Sequence, residues 1–104
     1  PIALIENNTL VVALATQDDL LEKTMSNIKE VKARGAFVLA VAQAHSASAL
    51  EKEVDQLVCL PDCEDLFAPM LAVIPMQMLA YYAAVFKGCD VDKPRNLAKS
   101  VTVE

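Results

Sequence analysis

The sequence contains only two glycines, Gly35 and Gly88, among its 104 residues. Glycine-rich loops bind phosphate groups through closely approaching backbone amides and need several glycines near one another. The sequence therefore has no loop of this kind. Positive charge is also scarce: the net charge is −5, and no basic patch has aromatic residues between its cations. The negative net charge and the absence of a basic patch argue against a nucleic-acid-binding protein.

Residues that bind metals or form disulfides are few as well. The sequence has one histidine, His45, and three cysteines. Cys59 and Cys63 have a spacing that a zinc or redox site could use, but there is no second cysteine pair, and His45 lies in a polar segment. We therefore expect free thiols, no metal, no cofactor and a cytoplasmic location. The segment Pro1–Ile5 lacks the basic region and cleavage site of a signal peptide, and the missing initiator methionine suggests that the chain begins inside a longer protein.

Apolar residues are abundant, at 55% of the chain compared with about 45–50% in typical domains. The segment 66–86 carries no formal charge and is long enough to cross a membrane, which takes roughly 20 residues. Pro69, Pro75 and Gln77 interrupt it, which favours a buried helix of an α/β protein instead. Such a helix needs cover from a sheet and from another subunit.

Three short runs of apolar residues predict buried strands, because they are continuous and do not alternate with polar residues. These strands are Leu10–Ala15, Phe37–Val41 and Gln56–Leu60.

The segments between the strands predict helices. Thr16 to Asp19 offer N-cap residues for a helix that continues to Arg34 and ends at Gly35. Residues 43–54 fit either a short helix or a loop. Glu64 is predicted to begin a long helix that is kinked or broken at Pro69 or Pro75 and ends at Lys87 and Gly88. Asn7 and Asn8 indicate a turn before the first strand.

Strands that alternate with helices predict an α/β fold with a parallel sheet. About three strands are few for a sheet that must be covered on both faces. We therefore expect a partial doubly wound, three-layer α/β/α sandwich with flanking helices and an irregular C-terminal tail.

The last thirteen residues, DKPRNLAKSVTVE from Asp92 to Glu104, form the most specific motif of the chain. This run resembles the C-terminal tail of the glutamine–fructose-6-phosphate aminotransferase family. The similarity extends upstream through PMQMLAYY at 75–82 and KGCDVD at 87–92. Weaker similarity covers residues 21–23 and 26–35.

The resemblance implies a sugar isomerase (SIS) fold, with residues 1–90 as the C-terminal portion of the second SIS subdomain and residues 91–104 as a tail that closes over the active site. In the family, a catalytic His-Gly pair directly precedes a segment that Pro1–Ile5 matches. The family's catalytic Glu and His and its phosphate-binding Ser/Thr loops would then lie upstream. His45 is not expected to replace that histidine, Glu6 is expected in a loop, and Ser46 and Ser48 remain weak candidates for binding an anion.

The resemblance assigns the catalytic role to Lys99, which maps onto the family lysine that forms an imine with the ketose. To react, this lysine must lose its proton, which requires burial or a nearby cation. Arg95 lies one helical turn before it if the tail is helical. Ala98 is a candidate for binding the sugar through its main chain, and Arg95 and Glu104 are candidates for anchoring the tail.

The implied function is the synthesis of glucosamine 6-phosphate from fructose 6-phosphate and glutamine, for the biosynthesis of amino sugars such as UDP-N-acetylglucosamine. The chain alone is expected to be inactive, because it needs the remaining SIS domain and the glutaminase domain. The whole protein is expected to form a homo-oligomer, most simply a dimer. Nucleic acid and membranes are not expected as partners. The alternative is a non-catalytic SIS module that binds a phosphosugar to regulate another process.

Overall fold

The computed structural model describes residues 2–93, which fold into three strands and three α-helices that alternate along the chain. In order they are β1 (Leu10–Ala15), α1 (Leu21–Ala33), β2 (Phe37–Gln43), α2 (Ala44–Leu50), β3 (Gln56–Leu60) and α3 (Ala68–Phe86). Short 3-10 turns, Ile2–Leu4 and Asp18–Leu20, precede β1 and α1. The chain divides into two compact units, and the boundary falls inside α3, between Val73 and Ile74.

The strands form one parallel sheet in the order β1-β2-β3. Leu10 is paired with Phe37, and Gln43 is paired with Leu60, so the carboxyl ends of all three strands lie along one edge. The predicted strands are confirmed, with β2 extending two residues further, to Gln43.

One face of the sheet carries the main hydrophobic core. Right-handed connections between strands that advance in one direction place the connecting helices on the same face. Accordingly, Ile28 and Val31 of α1 and Leu50 of α2 pack into one cluster with Val38 and Ala42 of β2. Ala15 and Ala36 complete the buried part of this cluster. Small residues at the strand positions let the helices approach the sheet closely.

The opposite face of the sheet is apolar but only partly covered. Val41 and Leu60 are buried there, whereas Leu10 and Leu14 of β1 are exposed by 54% and 52%. Phe37, beside Leu10 in β2, is exposed by 40%. The described residues thus form the parallel sheet and its helices on one side, which confirms the α/β fold and leaves part of the second side open.

The ends of α1 follow the predicted chemistry only in part. The 3-10 turn Asp18–Leu20 comes first, and no side chain caps the start of the α-helix at Leu21. The helix ends as predicted: Gly35 adopts a positive φ of 90°, and its N–H donates to the carbonyl of Lys32.

The predicted turn before β1 is also present, with Asn8 at φ 65°. Residues 43–54, for which the sequence left two alternatives open, contain the short helix α2 followed by a turn.

The prediction that the long helix begins at Glu64 is wrong. Residues 61–67 form a loop and a turn, in which the N–H of Phe67 donates to the carbonyl of Glu64, and α3 begins at Ala68. Pro69 lies in the first turn, where its missing N–H costs nothing. Pro75 lies inside the helix, which continues past it to Phe86.

Helix α3 is more exposed than the sequence predicts. Only Ala68 and Ala72 are buried, whereas Met70, Tyr82 and Phe86 are exposed by 67%, 61% and 94%. By length and composition alone the helix could cross a membrane, a test that core helices of other proteins also pass.

Candidate functional site

The carboxyl edge of the parallel sheet gathers the polar side chains of the first unit. Asp18 follows β1, His45 lies in the first turn of α2 directly after β2, and Asp62 follows β3. In open α/β sheets, ligands bind outside the carboxyl ends of the strands. This edge is therefore the place at which the first unit could contribute to a binding site.

Gln43 connects the loops at this edge. Its side chain is only 1% exposed, and its amide nitrogen donates to the carbonyl oxygen of Thr16 at 3.1 Å and to Asp65 at 3.2 Å. Its amide oxygen accepts from the N–H of Cys63 at 2.8 Å. Because burying an amide is favourable only when its hydrogen bonds are made, Gln43 fixes the loops after β1 and β3 to the end of β2.

His45 lies between two carboxylates. Its Nε2 is 2.7 Å from Oδ1 of Asp18, and its Nδ1 is 2.7 Å from Oδ1 of Asp62. The backbone N–H of His45 also donates to Asp62, at 2.9 Å. The hydrogen bonds with Asp18 and then with Asp62 raise the pKa of His45 above its usual value. The hydrogen bonds that Asp62 accepts from His45, first from the backbone N–H and then from the ring, lower the pKa of Asp62.

This arrangement limits what His45 can do chemically. Both ring nitrogens are occupied by protein carboxylates, so neither is free to act on a substrate or to bind a metal in this geometry. Within residues 2–93 no cluster of three His, Cys, Asp or Glu residues could hold a metal ion. His45, Asp18 and Asp62 thus connect the elements at this edge of the sheet.

Three other groups singled out by the sequence are Ser46, the cysteines and Glu6. Ser46 is buried, and its hydroxyl donates to the carbonyl of Gln43 at 3.1 Å, so it does not face an anion. Cys59 and Cys63 are free thiols, as is Cys89. Glu6 lies in the turn before β1, where its N–H donates to the Thr9 hydroxyl.

The second unit holds a concave surface where α3 leads into the chain after Gly88. Tyr81, Cys89, Asp90 and Lys93 contribute to its lining, and Tyr81 and Tyr82 pack edge to face with ring centres 5.3 Å apart. Lys99, Ala98, Arg95 and Glu104 are outside the described residues.

The sequence analysis missed the residues that join the carboxyl-edge loops. Gln43, Asp18 and Asp62 are 17 to 27 residues from the partners they contact, so no local motif marks them. One signal was present: each lies two or three residues after the end of a predicted strand. Polar residues at that position in a parallel sheet point toward the same edge.

No family model matches the sequence, but comparison with curated proteins finds relatives that share one name. The chain is 61% identical over 103 residues to "Glutamine--fructose-6-phosphate aminotransferase [isomerizing]" of Caldanaerobacter subterraneus and 54% identical over 104 residues to the protein of the same name from Clostridium tetani. These alignments cover 99% and 100% of this chain but 17% of each relative. The chain therefore spans about 17% of the length of these curated relatives.

A solved structure agrees in fold. The C-terminal domain of glucosamine-fructose-6-phosphate aminotransferase from Francisella tularensis superposes with a TM-score of 0.75 and 36% identity, covering 88% of this chain and 26% of that one. By sequence and by fold, the chain is thus related to the glutamine–fructose-6-phosphate aminotransferases and corresponds to the C-terminal part of their isomerase domain.

Proposed function

We propose that this chain is part of an enzyme that makes glucosamine 6-phosphate from fructose 6-phosphate and glutamine, and that it supplies the C-terminal tail of the isomerase site. One observation carries the proposal: identity of 54% to the Clostridium tetani protein extends over all 104 residues and so runs through the tail. Sequence similarity of this extent across the segment that resembles the family's active-site tail favours the same chemistry.

Lys99 is the proposed catalytic residue. Its neutral amine attacks C2 of the open-chain ketose, a C–N bond forms, and water leaves to give an imine. The amine must be uncharged before it attacks, which requires a pKa well below the usual value of about 10.4. Ala98 is proposed to contact the sugar through its main chain, and Arg95 is the proposed neighbouring cation that favours the neutral lysine.

The remaining parts of the reaction are assigned to other segments of the longer protein. A carboxylate base and a histidine must move a proton between C1 and C2 of the sugar. Among residues 2–93, the one histidine has both ring nitrogens hydrogen-bonded to carboxylates, which favours a histidine outside this chain for that role. A glutaminase domain would supply the ammonia.

We propose that the exposed apolar side chains of α3 are covered by protein, either the rest of the polypeptide or a second subunit of a homodimer, and not by a membrane. Pro75 inside the helix and Gln77 near its middle disfavour a bilayer span. The three free thiols fit a cytoplasmic location. Recovery of the intact protein in the soluble fraction without detergent is expected, and a requirement for detergent would contradict this.

Turnover by the intact protein tests the function. The wild type is expected to form glucosamine 6-phosphate, and Lys99→Arg, which keeps the charge but cannot form the imine, should lower turnover by about a hundredfold or more. Lys93→Arg is the matched control from the same segment and should leave turnover unchanged. Binding of fructose 6-phosphate by a wild type that shows no turnover would favour the alternative, a non-catalytic phosphosugar-binding module, and would contradict the proposal.

A further inference from the structure

Two loops at the carboxyl edge of the sheet are joined to the start of α2 by one imidazole ring. Asp18 belongs to the loop after β1, His45 to the start of α2 and Asp62 to the loop after β3. We propose that these three residues form a proton-controlled clamp, which holds the loops together while His45 is protonated and releases the loop of Asp18 when His45 loses its proton.

The geometry requires a protonated ring for both contacts. An imidazolium has two N–H donors, whereas a neutral imidazole has one donor and one lone pair. Both ring nitrogens are 2.7 Å from a carboxylate oxygen, a distance typical of charge-assisted hydrogen bonds. After loss of the proton, one nitrogen would face a carboxylate with its lone pair, and that contact becomes repulsive.

The two carboxylates are not held equally. Asp62 also accepts a hydrogen bond from the backbone N–H of His45, at 2.9 Å, and this bond does not depend on the charge of the ring. Within residues 2–93 the carboxylate of Asp18 has His45 as its side-chain hydrogen-bond partner and no other. The proton that remains on a neutral ring therefore favours Nδ1, beside Asp62, and the contact with Asp18 is the one that opens.

The surrounding charges favour the protonated ring. Within the described chain, the ion pairs formed by lysines and arginine join Lys29 to Glu53, Lys32 to Asp55 and Arg34 to Glu30, and none of them involves the loops at this edge. Those loops also carry Asp19, Glu64 and Asp65. His45 is thus the cation that pairs with an acidic edge, which agrees with the raised pKa of its ring.

The raised pKa of His45 sets the pH range over which the clamp opens. Because the folded-state pKa of His45 lies above the ordinary value of 6.5, the clamp is fully present below pH 6.5 and is lost as the pH rises through the folded-state pKa. The loop after β1 is released first, while Gln43 still holds the carbonyl of Thr16 at its base. The opening is therefore expected in residues 17–20 and not in the strand itself.

Hydrogen–deuterium exchange of the intact protein tests the clamp. Exchange of peptides that cover residues 17–20 and 61–65 is measured from pH 6 to pH 9 and corrected for the intrinsic pH dependence with unfolded reference peptides. Protection of 17–20 should fall several-fold with rising pH, and protection of 61–65 should change less. In Asp18→Asn, protection of 17–20 should be low at pH 6 and independent of pH.

Asp19→Asn is the matched control, because it removes a neighbouring charge without touching His45, and it should keep the pH dependence of the wild type. NMR measures the pKa of His45 directly. The His45 resonance is assigned by its absence from the spectrum of His45→Gln and is then followed in the wild type as the pH changes. Its midpoint should lie above 6.5 and should fall in Asp18→Asn. A wild-type protection pattern that does not change with pH, a midpoint at or below 6.5, or an unaltered pH dependence in Asp18→Asn would each overturn the proposal. None of these readouts depends on the catalytic assignment of Lys99.

Discussion

Asp55 shows how one side chain at the start of a strand can hold several elements. Its carboxylate accepts from Lys32 Nζ at 2.6 Å and from the backbone N–H of Val38 at 2.7 Å, and its own N–H donates to the carbonyl of Val38. It thus connects α1, β2 and the residue before β3. The hydrogen bond from Lys32, followed by that from Val38, lowers the pKa of Asp55 below its usual value of 3.8.

Stability in acid should reflect this lowered pKa. A carboxyl group with a depressed folded-state pKa contributes stability that is present above pH 3.8 and is lost as the pH falls through the folded-state value. Asp55→Asn should therefore melt at a lower temperature than the wild type at neutral pH, and the difference should shrink in acid. The melting temperatures of the wild type and of Asp55→Asn, measured between pH 2 and pH 7, give this difference.

Glu53→Gln is the control for the Asp55 prediction. Glu53 contacts Lys29 at 3.3 Å, but both side chains are partly exposed, at 33% and 58%. Its loss should change the melting temperature little. Equal pH dependence in the wild type and in Asp55→Asn would contradict the role assigned to Asp55.

Single residues with a local conformational role could be predicted from the sequence, and residues with distant partners could not. Gly35 and Asn8 have positive φ because the turn chemistry of their own neighbours requires it. Gln43 lies in a segment that fits either a helix or a loop, and its role is set by Thr16, Cys63 and Asp65. Lys99 was identified by resemblance of the tail, which no local pattern of charge or hydrophobicity would provide.

The end of α1 depends on the glycine that follows it. Gly35 has a φ of 90°, its carbonyl accepts from the N–H of Asn8, and a Cβ there would lie 2.8 Å from the side-chain oxygen of Asn7. Gly35→Ala should lower the free energy of unfolding by more than the 1–2 kcal/mol or so that a left-handed conformation costs an L-residue. Urea denaturation measures the loss.

Gly88 allows the two causes to be separated. It also has a positive φ, of 70°, but a Cβ there would meet no atom within 4 Å. Gly88→Ala should therefore show the conformational cost alone. If Gly35→Ala loses no more free energy of unfolding than Gly88→Ala, the contact with Asn7 has no energetic effect.

The start of α3 shows why some helix boundaries cannot be predicted from local signals. Glu64 and Asp65 are acidic residues ahead of an apolar run, which is typical of a helix start. Their segment forms a loop instead, because Gln43 binds the N–H of Cys63 and the side chain of Asp65. Pro69, treated in the sequence as a point of interruption, lies in the first turn of the helix. The strands were predicted well because a continuous apolar run depends little on such partners.

The sheet formed by residues 2–93 has two unpaired edges, β1 and β3, and an apolar face that is partly exposed. Within residues 2–93, β1 pairs with β2 and with no second strand, and Leu10 and Leu14 of β1 are about half exposed. Unpaired strand edges and apolar faces promote association. The chain produced alone is therefore expected to self-associate or aggregate.

Sedimentation velocity of the isolated 104-residue chain measures this association. The double variant Leu10→Lys/Leu14→Lys, which places charges on the exposed part of β1, should shift the distribution toward smaller species. A wild-type chain that sediments as a monodisperse monomer and melts cooperatively would contradict the expectation that residues outside this segment cover it.

We propose that Lys99 forms an imine with a keto sugar in a site completed by other parts of the protein. Borohydride reduction of the intact protein during turnover of fructose 6-phosphate, followed by mass spectrometry of the peptides, tests it most directly. A reduced sugar adduct is expected on Lys99, and Lys93 is expected to remain unmodified. An adduct on a different lysine, or turnover without any trapped adduct, would contradict it.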